Sequence, residues 1–321
     1  MLNTVEEQTI PKNATLAVGV IKTLLYFDIF NYPLTKEELL FFNPSKYMSS
    51  SADTELILSH LLSQKLIYKF GQFYAVQNEP AHIARRLAGN NLAVQKLKTA
   101  RKFSRFISWF PYVRAVMLSG SISKGYMDKS SDIDFFIVTA PGRLWITRTL
   151  LVLFKRIFLL NSHKNFCVNY FIDYNNLEIE EKNLFTAIES ITLIPTYGEK
   201  LYWDFWTANA WALQYFPNSA PRDTETIKSG TSLIKKIGER LLNNGLGNRL
   251  DQYFMDLTLK RWKSLFATEY SKKDFEVAFK TKKYASKNHP RFYQKKILDA
   301  YQDKIVQFEK NFNVTLNTTA G

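Results

Sequence analysis

The sequence predicts an α+β fold in three parts. Three observations carry this prediction: helical apolar spacing closed by a hairpin pattern before residue 80, two β-branched apolar runs flanking a Gly-Ser turn near residue 120, and mainly helical patterning from about residue 182 onward. The expected division is an N-terminal module over residues 1–80, a core over 81–195 and a C-terminal helical region over 196–321.

With 321 residues, 46% of them hydrophobic, the chain can bury a core in each part. Its 43 Lys and Arg against 29 Asp and Glu leave a net charge of +14, which favours encounter with polyanions such as nucleic acid, nucleotides or an anionic membrane. The single cysteine, Cys167, excludes an internal disulfide, and the four histidines (His60, His82, His163, His289) are too scattered to suggest zinc. The first twenty residues lack the pattern of a signal peptide. The most membrane-like stretch, 144–160, is interrupted by Arg148, Lys155 and Arg156 and falls short of the roughly 20 apolar residues a span needs. It reads as a buried core helix with one basic edge, so no membrane span and a cytoplasmic location are expected.

In the N-terminal module, 16-LAVGVIKTLLYFDIF-30 is apolar at helical spacing and NYPL stops it. Thr35 stands three residues before Glu38, a capping-box spacing that starts a helix over TKEELLFF. The serine-rich turn 49–53 precedes a third helix, at about 54–65, and 66-LIYKFGQFYAV-76 reads as two strands around Gly71. Three helices and a hairpin resemble a winged-helix domain. A DNA-reading third helix would present Arg, Lys, Asn or Gln; this one offers Glu55, Ser59, His60, Ser63, Gln64 and Lys65. A structural or docking role is therefore the leading reading, with nucleic-acid contact second.

The helical pattern over 81–110 carries Arg85, Arg86, Lys96, Lys98, Arg101 and Lys102. Its plain reading is an amphipathic helix with a solvated basic face; the sharper one is attraction of a phosphate-bearing substrate.

The core centres on 118-LSGSISKGYMDKSSDIDFFIV-138. The run 113–119 reads as a strand ending at Gly120, whose missing side chain permits a tight turn and close approach to a ligand. Ser121 opens a short helix whose N–H groups favour phosphate. Asp132 and Asp134 then share one face of the next strand, because strand residues two apart point the same way. Two adjacent carboxylates repel and call for a cation, and Mg²⁺ suits one or two carboxylates together with phosphate and water.

A strand ending in Gly-Ser, a gap of about ten residues and Asp-x-Asp on the next strand together resemble the polymerase-β-like nucleotidyltransferase superfamily, in particular its small bacterial members, over about residues 100–190. The resemblance implies a mixed-sheet core in which Asp132 and Asp134 hold catalytic Mg²⁺, Gly120 and Ser121 hold the β- and γ-phosphates of a nucleoside triphosphate such as ATP, and Lys124 and Lys129 neutralise phosphate. It also implies a third carboxylate on a later strand. On 165-NFCVNYFID-173 the central position is Asn169, which can ligate a metal through its amide oxygen but cannot act as a base, and Asp173 lies at the strand end.

Glu189, in LFTAIESITL, reads as a solvated helix residue with a site role as the alternative, and Asn209 and Trp211 read as packing residues with an adenine or acceptor pocket as theirs. The basic run 280–296 reads as a solvated face, with binding of RNA or a phosphorylated acceptor as the alternative. The leading expectation is Mg²⁺-dependent nucleotidyl transfer to an unidentified small-molecule or protein acceptor, with pyrophosphate released. Its alternative is a degenerate nucleotide-sensing or DNA- or partner-binding regulatory protein.

Overall fold

The computed structural model describes residues 14–45, 51–162, 164–224, 232–289 and 292–316. The extreme N-terminus, residues 46–50, the start of the helix expected from 226, His163, residues 290–291 and the tail from 317 lie outside the described residues. Of the serine-rich turn expected at 49–53, residues 51–53 are helical instead and open the third helix. The fold is α+β and forms two compact units. One comprises Met1–Leu87, Trp211–Ala220 and Gln294–Gly321, the other Ala88–Ala210 and Pro221–Tyr293.

The first unit contains α1 (Ala14–Asp28), β1 (Leu34–Thr35), α2 (Lys36–Phe41), α3 (Ser51–Ser63), β2 (Tyr68–Phe70) and β3 (Phe73–Ala75), with antiparallel strands in the order β1-β3-β2. The capping box at α2 forms as its spacing predicts: the Glu38 amide donates to Thr35 Oγ1 at 3.3 Å and the Thr35 amide to Glu38 Oε2 at 2.9 Å. Arg86 does not face solvent. Its guanidinium lies over the rings of Tyr32 and Phe73, 4.2 and 4.5 Å from their centroids, pairs with Glu38 at 2.8 Å and donates to the Pro33 carbonyl. A planar cation that stacks and forks in this way ties the start of the long helix to the hairpin.

The second unit is built on α4 (Ala81–Ser108, counted from residue 88), β4 (Val113–Ser119), α5 (Gly120–Ser123), β5 (Asp134–Thr139), α6 (Leu144–Phe158), β6 (Cys167–Asp173), α7 (Leu184–Ile191), β7 (Ile194–Tyr197), α8 (Glu199–Ala208), α9 (Leu233–Leu242), α10 (Gly245–Phe266), α11 (Lys272–Ala278), β8 (Thr281–Lys282) and β9 (Ala285–Lys287). The last helix, α12, spans Tyr293–Phe312. Six strands form one mixed sheet in the order β7-β4-β5-β6-β9-β8, with only β5 and β6 parallel. Strand alternation divides the work of the two faces. Val116, Leu118, Phe135, Ile137 and Phe171 join α4, α6 and Trp262 of α10 in one core, while Phe136 turns the other way to meet Tyr170 and Phe205 at 4.9 and 5.3 Å.

α6 is the buried helix expected: Leu144, Trp145, Ile146 and Leu151 are inside, and Arg148 is buried over the Trp262 ring at 4.7 Å. Burial lowers the Arg148 guanidinium to about 10. Three strands of the sheet lie in stretches that read as helical or as a solvated basic run, namely β7, β8 and β9. Lys280 and Lys287 in that run are buried, and Lys280 pairs with Glu180 at 3.0 Å and Glu181 at 2.6 Å. Short strands rich in lysine have little β pattern of their own, and β9 forms because β6 offers it an open ladder edge. Among the described residues no helix is long and apolar enough to cross a membrane.

Candidate active site

The Gly-Ser turn and the aspartate pair meet because β4 and β5 are antiparallel neighbours with Ser119 opposite Asp134. Gly120 then turns with φ +68°, a left-handed value that glycine adopts without cost. A side chain there would also collide, since a Cβ on Gly120 would stand 2.5 Å from Asp134 Oδ2. The glycine is therefore required twice, for the turn and for the carboxylate lying against it. Ile133 is fully buried and Asp132 and Asp134 on either side of it are half-buried; the strand itself starts at Asp134, so Asp132 stands just before it and not within it as expected.

The connecting loop is shaped by its own side chains. Asp128 Oδ1 accepts from the Ser130 amide at 2.9 Å and from the Ser130 and Ser131 hydroxyls at 2.7 and 3.1 Å, and the Met127 amide donates to the Gly89 carbonyl at 3.1 Å. Ser121 is half-buried in the first turn of α5, and its carbonyl accepts from the Lys124 and Tyr126 amides. Lys129 is exposed in this loop. Lys124 folds back instead: its ammonium donates to the Gly120 carbonyl at 3.0 Å and to Glu189 Oε1 at 2.8 Å.

Glu189 is the group the sequence least announced. α7 places it beside the turn, where Oε2 accepts from the Gly120 amide at 3.3 Å. Its one sequence signal is an acid inside an otherwise apolar helix, LFTAIESI. Burial first, then repulsion from Asp132 and Glu189, pushes the Asp134 carboxyl up to about 7, against a hydrogen bond from Cys167.

The strand beyond holds neither expected ligand in place. The parallel register sets Cys167 beside Asp134, and an irregularity at Phe135/Phe136 leaves Asn169 out of the paired positions. Asn169 Nδ2 donates to Cys167 Sγ at 2.8 Å, and the protonated thiol, raised by burial and by Asp134, bonds Asp134 in turn. Asn169 thus touches the site through Cys167. Asp173 pairs with Thr139, five residues along β5 from Asp134, so it lies roughly 16 Å away at strand spacing. Its carboxylate accepts from the Asn175 amide and from Asn176 Nδ2 at 3.0 and 2.8 Å, closing the turn after β6.

Asn209 is structural: its amide bridges the Leu177 carbonyl and the Ile179 amide, both at 2.8 Å. Two cations that local pattern did not mark stand near the site. Lys155 of α6, lowered by burial, lies within electrostatic reach of Cys167 and Asp132, and the buried Lys287 of β9 within reach of Glu181 and Glu189. Arg222 donates to the Ser123 carbonyl at 2.7 Å behind α5.

The donor set suits a hard divalent cation of the magnesium type. Two carboxylates stand one residue apart and Asp132 repels Asp134. A cation would neutralise that repulsion, and Mg²⁺ takes one or two carboxylates with water and phosphate oxygen.

Residues 100–194 match the family model described as a nucleotidyltransferase domain. No curated protein and no solved structure matches the chain.

Proposed function

Since residues 100–194 are a nucleotidyltransferase domain of the polymerase-β-like superfamily, we propose that the protein transfers a nucleotidyl group from a nucleoside triphosphate, ATP in the first instance, to a hydroxyl-bearing small-molecule or protein acceptor. The acceptor oxygen bonds to the α-phosphorus, the bond from that phosphorus to the bridging oxygen breaks, and pyrophosphate leaves with the electron pair while the acceptor proton passes to solvent. One observation carries the reading: the Asp134 carboxylate lies against a left-handed Gly120 where any Cβ would stand 2.5 Å from it, and Asp132 adds its charge beside Asp134.

In this reading Asp132 and Asp134 hold Mg²⁺. The ion would draw charge from the phosphate oxygens as the in-line displacement proceeds. Gly120 and Ser121 receive the β- and γ-phosphates, Lys124 offers its ammonium to them, and exposed Lys129 draws the triphosphate toward the loop. The Asn169–Cys167 chain orients Asp134 from behind, as an outer-shell donor does for a ligand carboxylate. The test is transfer of labelled nucleotide and release of pyrophosphate in Asp132→Ala and Asp134→Ala. Loss in both, with folding retained, is expected; full activity in both removes the proposal.

The positions of Asn169 and Asp173 favour a second reading, a protein that senses nucleotide without transferring it. It predicts ATP binding by calorimetry with no pyrophosphate release under any acceptor supplied. We also read the 1–80 module as winged-helix-like, supported by its order of helix, strand, two helices and hairpin. The exposed face of α3 carries Glu55, Leu56, Ser59, His60 and Ser63, with Gln64 and Lys65 exposed in the turn after it and Glu55 paired to Lys36, which supports docking over nucleic-acid contact. Salt-insensitive, negligible DNA binding would agree with that assignment.

A further inference from the structure

Glu189 occupies donors that the proposed reaction needs. Its two carboxylate oxygens take two separate ones, Oε2 the Gly120 amide at 3.3 Å and Oε1 the Lys124 ammonium at 2.8 Å, and Lys124 is drawn further inward by the Gly120 carbonyl at 3.0 Å. Under the reading above, the Gly120 amide and Lys124 are the groups that face the β- and γ-phosphates. A carboxylate oxygen and a phosphate oxygen make the same demand on an N–H, as anionic acceptors of a charge-assisted hydrogen bond, and one donor direction cannot serve both. The carboxylate is also delivered from a rigid position: α7 is fixed by a capping box at Asn183 and Thr186 and by the Thr192 hydroxyl on the Ile188 carbonyl at 2.7 Å.

The arrangement is built to be undone. The Lys124 and Glu189 side chains keep 18% and 27% of their exposure, so each can swing to water without leaving a buried charge behind. Glu189 also adds to the negative field at Asp134, so that aspartate and the phosphate donors both feel this one side chain.

We propose that Glu189 is a built-in competitor for the triphosphate, holding the Gly120 amide and Lys124 until β- and γ-phosphates displace it. This rests on the nucleotidyltransferase reading of Gly120 and Lys124. It makes Glu189 a residue that sets triphosphate affinity selectively: a ligand without β- and γ-phosphates never meets it.

The experiment is calorimetric titration of the full chain and of Glu189→Gln with Mg²⁺–ATP, with inorganic tripolyphosphate and with AMP. Glutamine keeps the shape and removes the charge. The variant is expected to bind Mg²⁺–ATP and tripolyphosphate about fivefold more tightly, the scale of one partly exposed ion pair, and AMP unchanged. Equal or weaker binding of both phosphates overturns the inference and makes Glu189 a brace for Lys124. Weaker Mg²⁺–ATP with unchanged metal-free tripolyphosphate overturns it in favour of a metal-ligand role. Failure of folded wild type and variant alike to bind either phosphate overturns the nucleotidyltransferase reading itself, and the inference with it. Should Glu189→Gln not fold, Glu189→Asp, which withdraws the carboxylate by one methylene, is expected to tighten binding in the same direction.

Discussion

Gly120→Ala tests the geometry on which the active-site reading depends. Two effects add at this position. The backbone φ of +68° imposes a left-handed conformation on alanine, costing roughly 1–2 kcal/mol. The new Cβ would also stand 2.5 Å from Asp134 Oδ2, and ordinary contact begins at 3.4 Å, so the carboxylate or the turn must move by about 0.9 Å (3.4 − 2.5). A displacement of that size at a reacting centre costs on the order of 10²-fold in rate. Gly142→Ala supplies the control, because Gly142 has a nearly equal φ of +64° with nothing within 4 Å of its would-be Cβ. Urea denaturation should show Gly142→Ala destabilised by roughly 1–2 kcal/mol and Gly120→Ala by at least as much, since only Gly120 adds a collision to the backbone cost. Nucleotidyl transfer should collapse in Gly120→Ala alone. Transfer within a few-fold of wild type in Gly120→Ala, or equal loss in both variants, would refute the argument that Asp134 works only against an unsubstituted turn.

Three further outcomes follow from the charged groups. In metal-free buffer Asp134→Asn should match wild type near pH 4 and exceed it at pH 8: a carboxyl raised from 3.8 to about 7 stabilises the fold only while it keeps its proton, and that contribution is lost as pH rises through the folded value. The full rise corresponds to roughly 4 kcal/mol, and the partial solvent access of Asp134 sets the expected gain at about 2–4 kcal/mol; urea melts across pH showing no gain at pH 8 would contradict it. Burial pushes the Glu180 carboxyl up, yet hydrogen bonds from Lys282, Tyr284 and Lys280 hold it down to about 2, so its contribution is present above the unfolded value of about 4.5 and is lost as pH falls toward 2. Glu180→Gln is therefore expected to be less stable than wild type at pH 7 and equal to it near pH 2, and a difference independent of pH would count against this pairing. Arg86→Met removes the cation paired with Glu38 and the ring stacking and should cost roughly 3 kcal/mol in a denaturation experiment; a cost below about 0.5 kcal/mol would show that the stacked guanidinium contributes little.

Local physics made much of this protein legible in its sequence. The Thr35–Glu38 capping box, the burial of α6 and the buried Ile133 between two half-buried aspartates each depend on residues within a turn or two of one another, and each follows from a fixed period or spacing. The same applies to the turn at Gly120, since its demand for a missing side chain is expressed by the residue itself. Half of the active-site candidate is written in one stretch of about twenty residues for this reason.

What the tertiary structure alone decided is which distant groups complete that half. Alternation places Asn169 and Asp173 on a strand, but only the register of β6 against β5 shows Cys167 beside Asp134 and Asp173 far along the sheet. Glu189 lies 69 residues from Gly120 and reaches it because α7 packs beside the turn. Lys280 and Lys287 carry the composition of a solvated run, yet both are buried, Lys287 where β9 pairs with β6 and Lys280 against Glu180 and Glu181. A sequence period states which way a side chain points. What it points at is set by strand register and helix packing between segments far apart in the chain, and those depend on the whole core closing at once.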